Sequence, residues 1–127
     1  IFITITITII IIMHLVKDTE NKNLSQKDFW FILYNDDIPV AECSLIYEND
    51  NVYEFNDVLV YQEYRGNNYA NILISKIIDY MKQENKTKIT LKIISYLDNK
   101  ASYNSYKKIF GEPYKTDIRY AYFFINI

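Results

Sequence analysis

The chain has 127 residues, half of them hydrophobic, which suits one domain with its own core and excludes a disordered chain. A formal net charge of −2 argues against a dedicated nucleic-acid binder. Because Cys43 and His14 are the only cysteine and histidine, the composition excludes an internal disulfide and argues against a zinc site or a histidine-assisted nucleophile. We therefore expect no metal and no nucleic-acid partner.

The first twelve residues, IFITITITIIII, form a low-complexity, β-prone segment. They are too short for a membrane-spanning helix, which needs about 20 apolar residues, and they lack the marks of a signal peptide. We expect that Met13 is the true start, that residues 1–12 are an extension outside the native protein, and that residues 13–127 form one cytoplasmic domain. A short membrane anchor or an added edge strand is the alternative interpretation of residues 1–12.

A β-hairpin and a third strand are predicted next along the chain, because short apolar runs alternate with turn residues. The polar residues 17–28 precede them and predict a loop or a short helix. The strands and their connecting turns are expected at Phe29–Tyr34, Asn35–Asp37, Val40–Tyr47, Glu48–Asn51 and Val52–Tyr61.

A long amphipathic helix is predicted from about Tyr69 to Gln83, since its apolar residues recur every three or four positions. The segment Lys88–Tyr96 has few polar positions. It predicts a strand that is buried on both faces and parallel to the third strand.

A second helix is expected to begin at a cap, Asp98 or Asn99, and to end at Phe110 before Gly111. A last strand is expected at Ile118–Ile125. The resulting order is β-β-β-α-β-α-β, with no internal linker and no repeat.

The turn between the third strand and the first helix is basic and contains one of only 2 glycines in the chain, Gly66. The unpaired N–H groups and the positive dipole end of a following helix make such a turn suitable for holding phosphate. The residues of this motif are Val60, Gln62, Tyr64, Arg65, Gly66, Asn67, Asn68, Tyr69 and Ala70.

A second motif lies in the second helix, where Asn99, Ser102 and Tyr106 follow one another at intervals of three and four residues. Because seven residues make about two helical turns, Asn99 and Tyr106 are expected on one face, about 10 Å apart along the axis.

With this element order and these two motifs, the chain resembles the GNAT superfamily of acyl-CoA N-acyltransferases from about Phe29 to the C-terminus. Arg65 and Ala70 match the strand-turn-helix signature of the family, whereas Asn68 replaces its middle glycine. The segment before the hairpin is short, as in compact members, and leaves little room for the usual first strand and helices.

The resemblance implies an α/β fold with a mixed, mostly antiparallel sheet flanked by helices. Strands 52–61 and 88–96 would form a central, splayed parallel pair around the cofactor. It also implies an acyltransferase that moves an acetyl group from acetyl-CoA to a primary amine by direct transfer.

By the same resemblance, one set of residues is expected to bind acetyl-CoA through strand backbone, helix N–H groups, the arginine and the Asn99 amide. This set is Val58, Leu59, Val60, Arg65, Gly66, Asn67, Asn68, Tyr69, Ala70, Asn71 and Asn99. Tyr106 would supply a proton to the thiolate leaving group.

A general base is needed because an ammonium ion cannot attack a thioester. Glu54 lies six residues before Val60, where histone-type members of the family carry a glutamate base, and it is our preferred candidate. Asp57, on the opposite strand face by parity, and a water relay are the alternatives.

Other interpretations stay open. A non-catalytic acyl-CoA-binding or interaction domain of the same fold is the main alternative, and a small membrane-tethered accessory protein would require residues 1–12 to be native. The open classes of acceptor are a protein lysine, an N-terminus, a polyamine and another small amine, and the sequence does not indicate an oligomeric state.

Overall fold

A computed structural model describes residues 13–17, 28–85 and 87–127 of the chain. The predictions for residues 1–12, and for most of 17–28, fall outside this part. The described residues form seven strands and two α-helices: β1 (Met13–Lys17), β2 (Phe29–Asn35), β3 (Ile38–Asn49), β4 (Val52–Val60), α1 (Tyr69–Glu84), β5 (Thr90–Tyr96), α2 (Lys100–Phe110), β6 (Lys115–Thr116) and β7 (Tyr120–Asn126).

The strands form one sheet in the order β1-β2-β3-β4-β5-β7-β6. Every neighbouring pair is antiparallel except β4 and β5, which are parallel and are connected through α1. The predicted α/β fold, with a mixed and mostly antiparallel sheet around a central parallel pair, is therefore confirmed.

Two strands were not predicted. β1 pairs with β2 along its whole length, from Met13 opposite Asn35 to Lys17 opposite Phe31. The leading segment, which was expected to leave little room for a first strand, therefore contains one. β6 is only two residues long and pairs with β7. A strand of two residues is too short for alternation to be visible in the sequence.

The parallel pair is joined only at its beginning. Val52–Glu54 pair with Thr90–Lys92, and no later pairing of β4 with β5 is present among the described residues. β4 also contains a bulge, in which Asp57 adopts a left-handed backbone with φ of 54° between the pairs Ser44–Asn56 and Glu42–Leu59. The bulge and the missing pairs open a gap between the ends of β4 and β5.

The core lies on one face of the sheet, where both helices pack. The apolar stripe predicted for α1 is buried at Leu73, Ile74, Ile77, Ile78 and Met81, whereas its first two members, Tyr69 and Ala70, are half-buried. These side chains join buried residues of the strands in one cluster, and α2 adds Tyr106 to it.

β5 is buried on one face only, which corrects the prediction of a strand buried on both faces. Leu91, Ile93 and Ser95 point into the core, whereas Ile94 is 40% exposed and Tyr96 is 58% exposed. The apolar sequence of β5 could not show that both described helices cover the same face. Neither described helix has the length and apolar character needed to cross a bilayer.

Candidate functional site

A continuous groove runs between the end of β4 and the starts of α1 and α2. It consists of three adjoining cavities, which we name the turn cavity (about 280 Å³), the middle cavity (about 400 Å³) and the splay cavity (about 230 Å³). The turn and middle cavities share Val60, Arg65, Ala70, Ala101 and Ser105. The middle and splay cavities share Val58, Asn99, Ser102 and Tyr106.

The turn after β4 is held by backbone conformation and side-chain bonds. Gly66 has φ of 87°, a conformation that residues with a Cβ rarely adopt. The Arg65 Nε atom donates to the carbonyl oxygen of Val60 at 3.1 Å, and Asn67 Nδ2 donates to the carbonyl oxygen of Tyr64 at 3.0 Å. Arg65 is thereby anchored beside the groove, while the outer guanidinium nitrogens are not used by this bond.

The first backbone N–H groups of helix α1 are not capped by the side chain of the N-cap residue. Asn68 is the N-cap residue, but its backbone is left-handed and its side chain does not bond a backbone N–H of the first turn. The first N–H groups of any helix lack intrahelical partners and carry a partial positive charge. Since Tyr69, Ala70 and Asn71 line the turn cavity, this helix end can accept an anion such as a pyrophosphate.

The strand side of the groove is formed by Val58, Leu59 and Val60, which all line the middle cavity. On the side facing β5, these three residues follow the last parallel pair, Glu54 and Lys92, and are not paired with β5. An extended polar chain, for example one with amide groups, can add to such an open edge as a further strand would.

Helix α2 supplies the opposite wall. Asn99 is its N-cap, and the Asn99 Oδ1 atom accepts from the backbone N–H of Ser102 at 3.1 Å. The face of α2 that meets the groove carries small residues, Ala101, Ser102 and Ser105, so a ligand can approach the helix closely.

Tyr106 lies at the junction of the middle and splay cavities and is only 8% exposed. Its ring packs edge-on against Phe123 at 6.3 Å between centroids. Burial raises the pKa of Tyr106, the neighbouring Cys43 raises it further, and a hydrogen bond with Ser102 lowers it. The hydroxyl is therefore protonated at neutral pH and can donate a proton.

The two candidate bases occupy different places. Asp57 lines the splay cavity. It lies in the bulge of β4, where the left-handed backbone changes the direction of the strand. Glu54 does not line the groove; it lies across from Lys92, on the sheet face that the described helices leave open.

Glu54 belongs to a small charged cluster. Burial raises the pKa of its carboxyl group, nearby Glu48 raises it further, and Lys92 lowers it. Lys92 is itself 3.2 Å from Glu48 in an ion pair. A carboxylate with a raised pKa is a better proton acceptor than an ordinary exposed glutamate.

Every predicted cofactor-binding residue except Asn67 lines the groove. Asn67 instead hydrogen-bonds within the turn after β4. The structure also adds residues that the sequence did not single out. Ser95, which is 2% exposed, and Tyr96 line the splay cavity, and Ala101 and Ser105 line the middle cavity. The small residues on one face of α2 were the only signal that could have identified part of this set.

The family model described as "Acetyltransferase (GNAT) family" matches residues 12–111 of the chain. A comparison with curated protein sequences finds no match.

Several solved structures share the fold. The N-acetyltransferase PseH of Campylobacter jejuni, in complex with acetyl coenzyme A, has a TM-score of 0.66 and 20% identity over 80% of this chain and 69% of that chain. The spermidine N-acetyltransferase of Vibrio cholerae, in complex with CoA and spermine, has a TM-score of 0.65 and 15% identity over 80% of this chain and 66% of that chain. A putative acyl-CoA N-acyltransferase of Klebsiella pneumoniae has a TM-score of 0.69 and 11% identity over 91% of this chain and 97% of that chain. At these identities the likeness shows the fold.

Proposed function

Because the chain belongs to the GNAT family of acetyltransferases, we propose that it transfers an acetyl group from acetyl-CoA directly to a primary amine. The observation that carries this proposal is the groove. It joins an anion-binding helix end, an open strand edge and a buried, protonated tyrosine in one continuous space.

The chemistry of the groove fits the parts of acetyl-CoA in order. The open amides at the start of α1 and the charge of Arg65 suit the pyrophosphate. The edge of Val58–Val60 suits the amides of the pantetheine arm, and a backbone N–H of this strand can stabilise the oxyanion formed during transfer. Asn99 lines both the middle and the splay cavity, where its amide would hydrogen-bond the arm.

Tyr106 is the acid in this proposal. The amine nitrogen bonds to the thioester carbonyl carbon, and the carbon–sulfur bond breaks to release a thiolate. The Tyr106 hydroxyl gives its proton to the thiolate sulfur, so that the products are an amide and a free thiol. The Tyr106 phenolate then regains a proton from solvent, and the base releases the amine proton to solvent. The hydroxyl is protonated at neutral pH, and the rise in its pKa on burial makes it a weaker acid than an exposed tyrosine.

Glu54 is the base in this proposal. The helices α1 and α2 close one face of the sheet, and the groove on that side is taken by the cofactor. The amine must therefore approach from the other face, where Glu54 and Lys92 lie at the last pair before the gap. Glu54 accepts the amine proton directly or through one water molecule.

The acceptor is a primary amine of open identity. The spermidine N-acetyltransferase of Vibrio cholerae has been solved in complex with CoA and spermine, which makes polyamines one class of acceptor to test. For this chain, protein lysines, protein N-termini, polyamines and other small amines are the classes to be tested.

Calorimetric titration with acetyl-CoA tests the cofactor assignment. We expect one acetyl-CoA to bind each chain, and we expect ATP, which carries phosphates but no pantetheine arm, to bind much more weakly. Equal affinity for acetyl-CoA and ATP would show that the turn binds phosphates in general and does not select acetyl-CoA. No binding of acetyl-CoA would overturn the proposed function.

A further inference from the structure

The asparagine at the N-terminus of α1 is held by a second asparagine one turn later. Asn71 Nδ2 donates to Asn68 Oδ1 at 2.8 Å. Both residues line the turn cavity. We name this pair the asparagine clasp.

The clasp differs from an ordinary N-cap. An N-cap asparagine usually accepts from a backbone N–H of the first turn, as Asn99 does from Ser102 in α2. Asn68 instead has φ of 64° and ψ of 22°, and its side-chain oxygen is bonded to the Asn71 amide. The first amides of α1 are consequently not covered by the Asn68 side chain.

The Asn68 side-chain oxygen would be unfavourable beside an anion if it were free to turn. An amide oxygen is a hydrogen-bond acceptor only, so it repels phosphate oxygens and competes with them for the same N–H donors. The clasp satisfies this oxygen with a side-chain donor. The other polar atom of Asn71, Oδ1, is buried and has no partner within residues 13–17, 28–85 and 87–127, so the bond to Asn68 is what orients the Asn71 amide.

We propose that Asn71 is a positioning residue for the pyrophosphate of acetyl-CoA. Its hydrogen bond keeps the Asn68 side chain away from the first N–H groups of α1. These groups are then as accessible to the ligand as they would be with glycine at the left-handed position 68. This inference rests on the proposed function and adds a specific role for Asn71 within it.

The size of the effect follows from rotamer populations. A released Asn68 side chain has three staggered χ1 wells, of which the clasp selects one. If one well in three leaves the amides open, removal of the Asn71 amide should raise the dissociation constant for acetyl-CoA about threefold.

Four variants test the clasp by calorimetry with acetyl-CoA. We expect Asn71→Ala to bind about threefold more weakly. Asn68→Gly should bind at least as tightly as the unchanged chain, and Asn68→Gly combined with Asn71→Ala should regain the affinity of Asn68→Gly. Ser75→Ala, on the exposed face of α1, controls for changes in helix propensity, and thermal unfolding of each variant checks the fold.

The restored affinity of the double variant is the decisive result, because a merely structural role of Asn71 would not be rescued by removing the Asn68 side chain. Unchanged affinity of Asn71→Ala, or a double variant as weak as Asn71→Ala, overturns the clasp while the proposed function stands. Absence of acetyl-CoA binding by the unchanged chain overturns both.

Discussion

At the scale of single residues, the proposed acid Tyr106 is buried beside the groove, whereas the proposed base Glu54 lies on the other face of the sheet. Tyr106 is buried against Phe123 and next to the groove, so its hydroxyl stays protonated. Glu54 lies on the open sheet face, and its pKa is raised while Lys92 opposes the rise. An acid and a base on the two sides of one gap are what a direct transfer between two bound substrates requires.

Replacing Tyr106 by Phe should lower kcat about 100-fold and leave the affinity for acetyl-CoA unchanged, since only the proton donor is removed. Steady-state kinetics and calorimetry measure the two quantities. Tyr103→Phe is the matched control, because Tyr103 also packs on Phe123 from α2 but does not line the groove. Equal kcat for Tyr106→Phe and Tyr103→Phe would remove the assigned role.

Replacing Glu54 by Gln should lower kcat about 100-fold, whereas Asp57→Asn should have a smaller effect. The base works only when it is ionised. Because its pKa is raised, activity should increase with pH through a value above the ordinary range of a glutamate, and Glu54→Gln should lose this rise. A larger loss in Asp57→Asn, the carboxylate that lines the splay cavity, would transfer the role to Asp57.

At the scale of elements, asparagine and aspartate occupy left-handed backbone positions where glycine is often found. Within the described part of the chain, left-handed backbone is found at five positions with a side chain, which are Asp36, Asp50, Asn51, Asp57 and Asn68. Asparagine and aspartate tolerate this region better than other residues with a Cβ. The bulge at Asp57 and the start of α1 at Asn68, which shape the two ends of the groove, therefore form without glycine.

The two glycines offer a matched pair for testing the turn after β4. Gly66 has φ of 87° and Gly111 has φ of 84°, and an added Cβ would meet no atom within 4 Å at either position. Alanine at either site should thus lower the free energy of unfolding by about 1–3 kcal/mol through backbone strain alone.

Only Gly66→Ala should also weaken acetyl-CoA binding, because Gly66 lines the turn cavity and Gly111 lies beyond the far end of α2. Chemical denaturation measures the first effect and calorimetry the second. Equal acetyl-CoA affinities in the two variants would show that the turn at Gly66 does not shape the cofactor site.

Local patterns in the sequence predicted most elements, and the family motif predicted residues that the structure brings together along the groove. Arg65, Gly66 and Ala70 are close in sequence, and one motif places them together. The burial of β5 was predicted wrongly, because an apolar run does not reveal how many layers cover a strand. Ser95 and Ala101 were missed because they join the groove only through the pairing of β5 beside β4 and the packing of α2.

At the scale of the whole molecule, the sheet divides the protein into two functional sides. One face carries both described helices, the core and the groove. The other face carries the Glu48–Lys92 ion pair, Glu54 and the exposed rings of β5 and β7, such as Tyr96 and Phe124. The gap between β4 and β5 connects the two sides. In the proposed mechanism, cofactor and acceptor therefore meet through the sheet without sharing one pocket.

The measurement that tests this account most directly is amine-dependent release of the free CoA thiol from acetyl-CoA. The panel should contain a polyamine, an amino sugar, a lysine peptide and a peptide with a free N-terminus. We predict thiol release with at least one of these amines, accompanied by the acetylated product and strongly reduced in Tyr106→Phe. Tight acetyl-CoA binding without thiol release for any amine would contradict the enzymatic function and identify the chain as an acyl-CoA-binding domain.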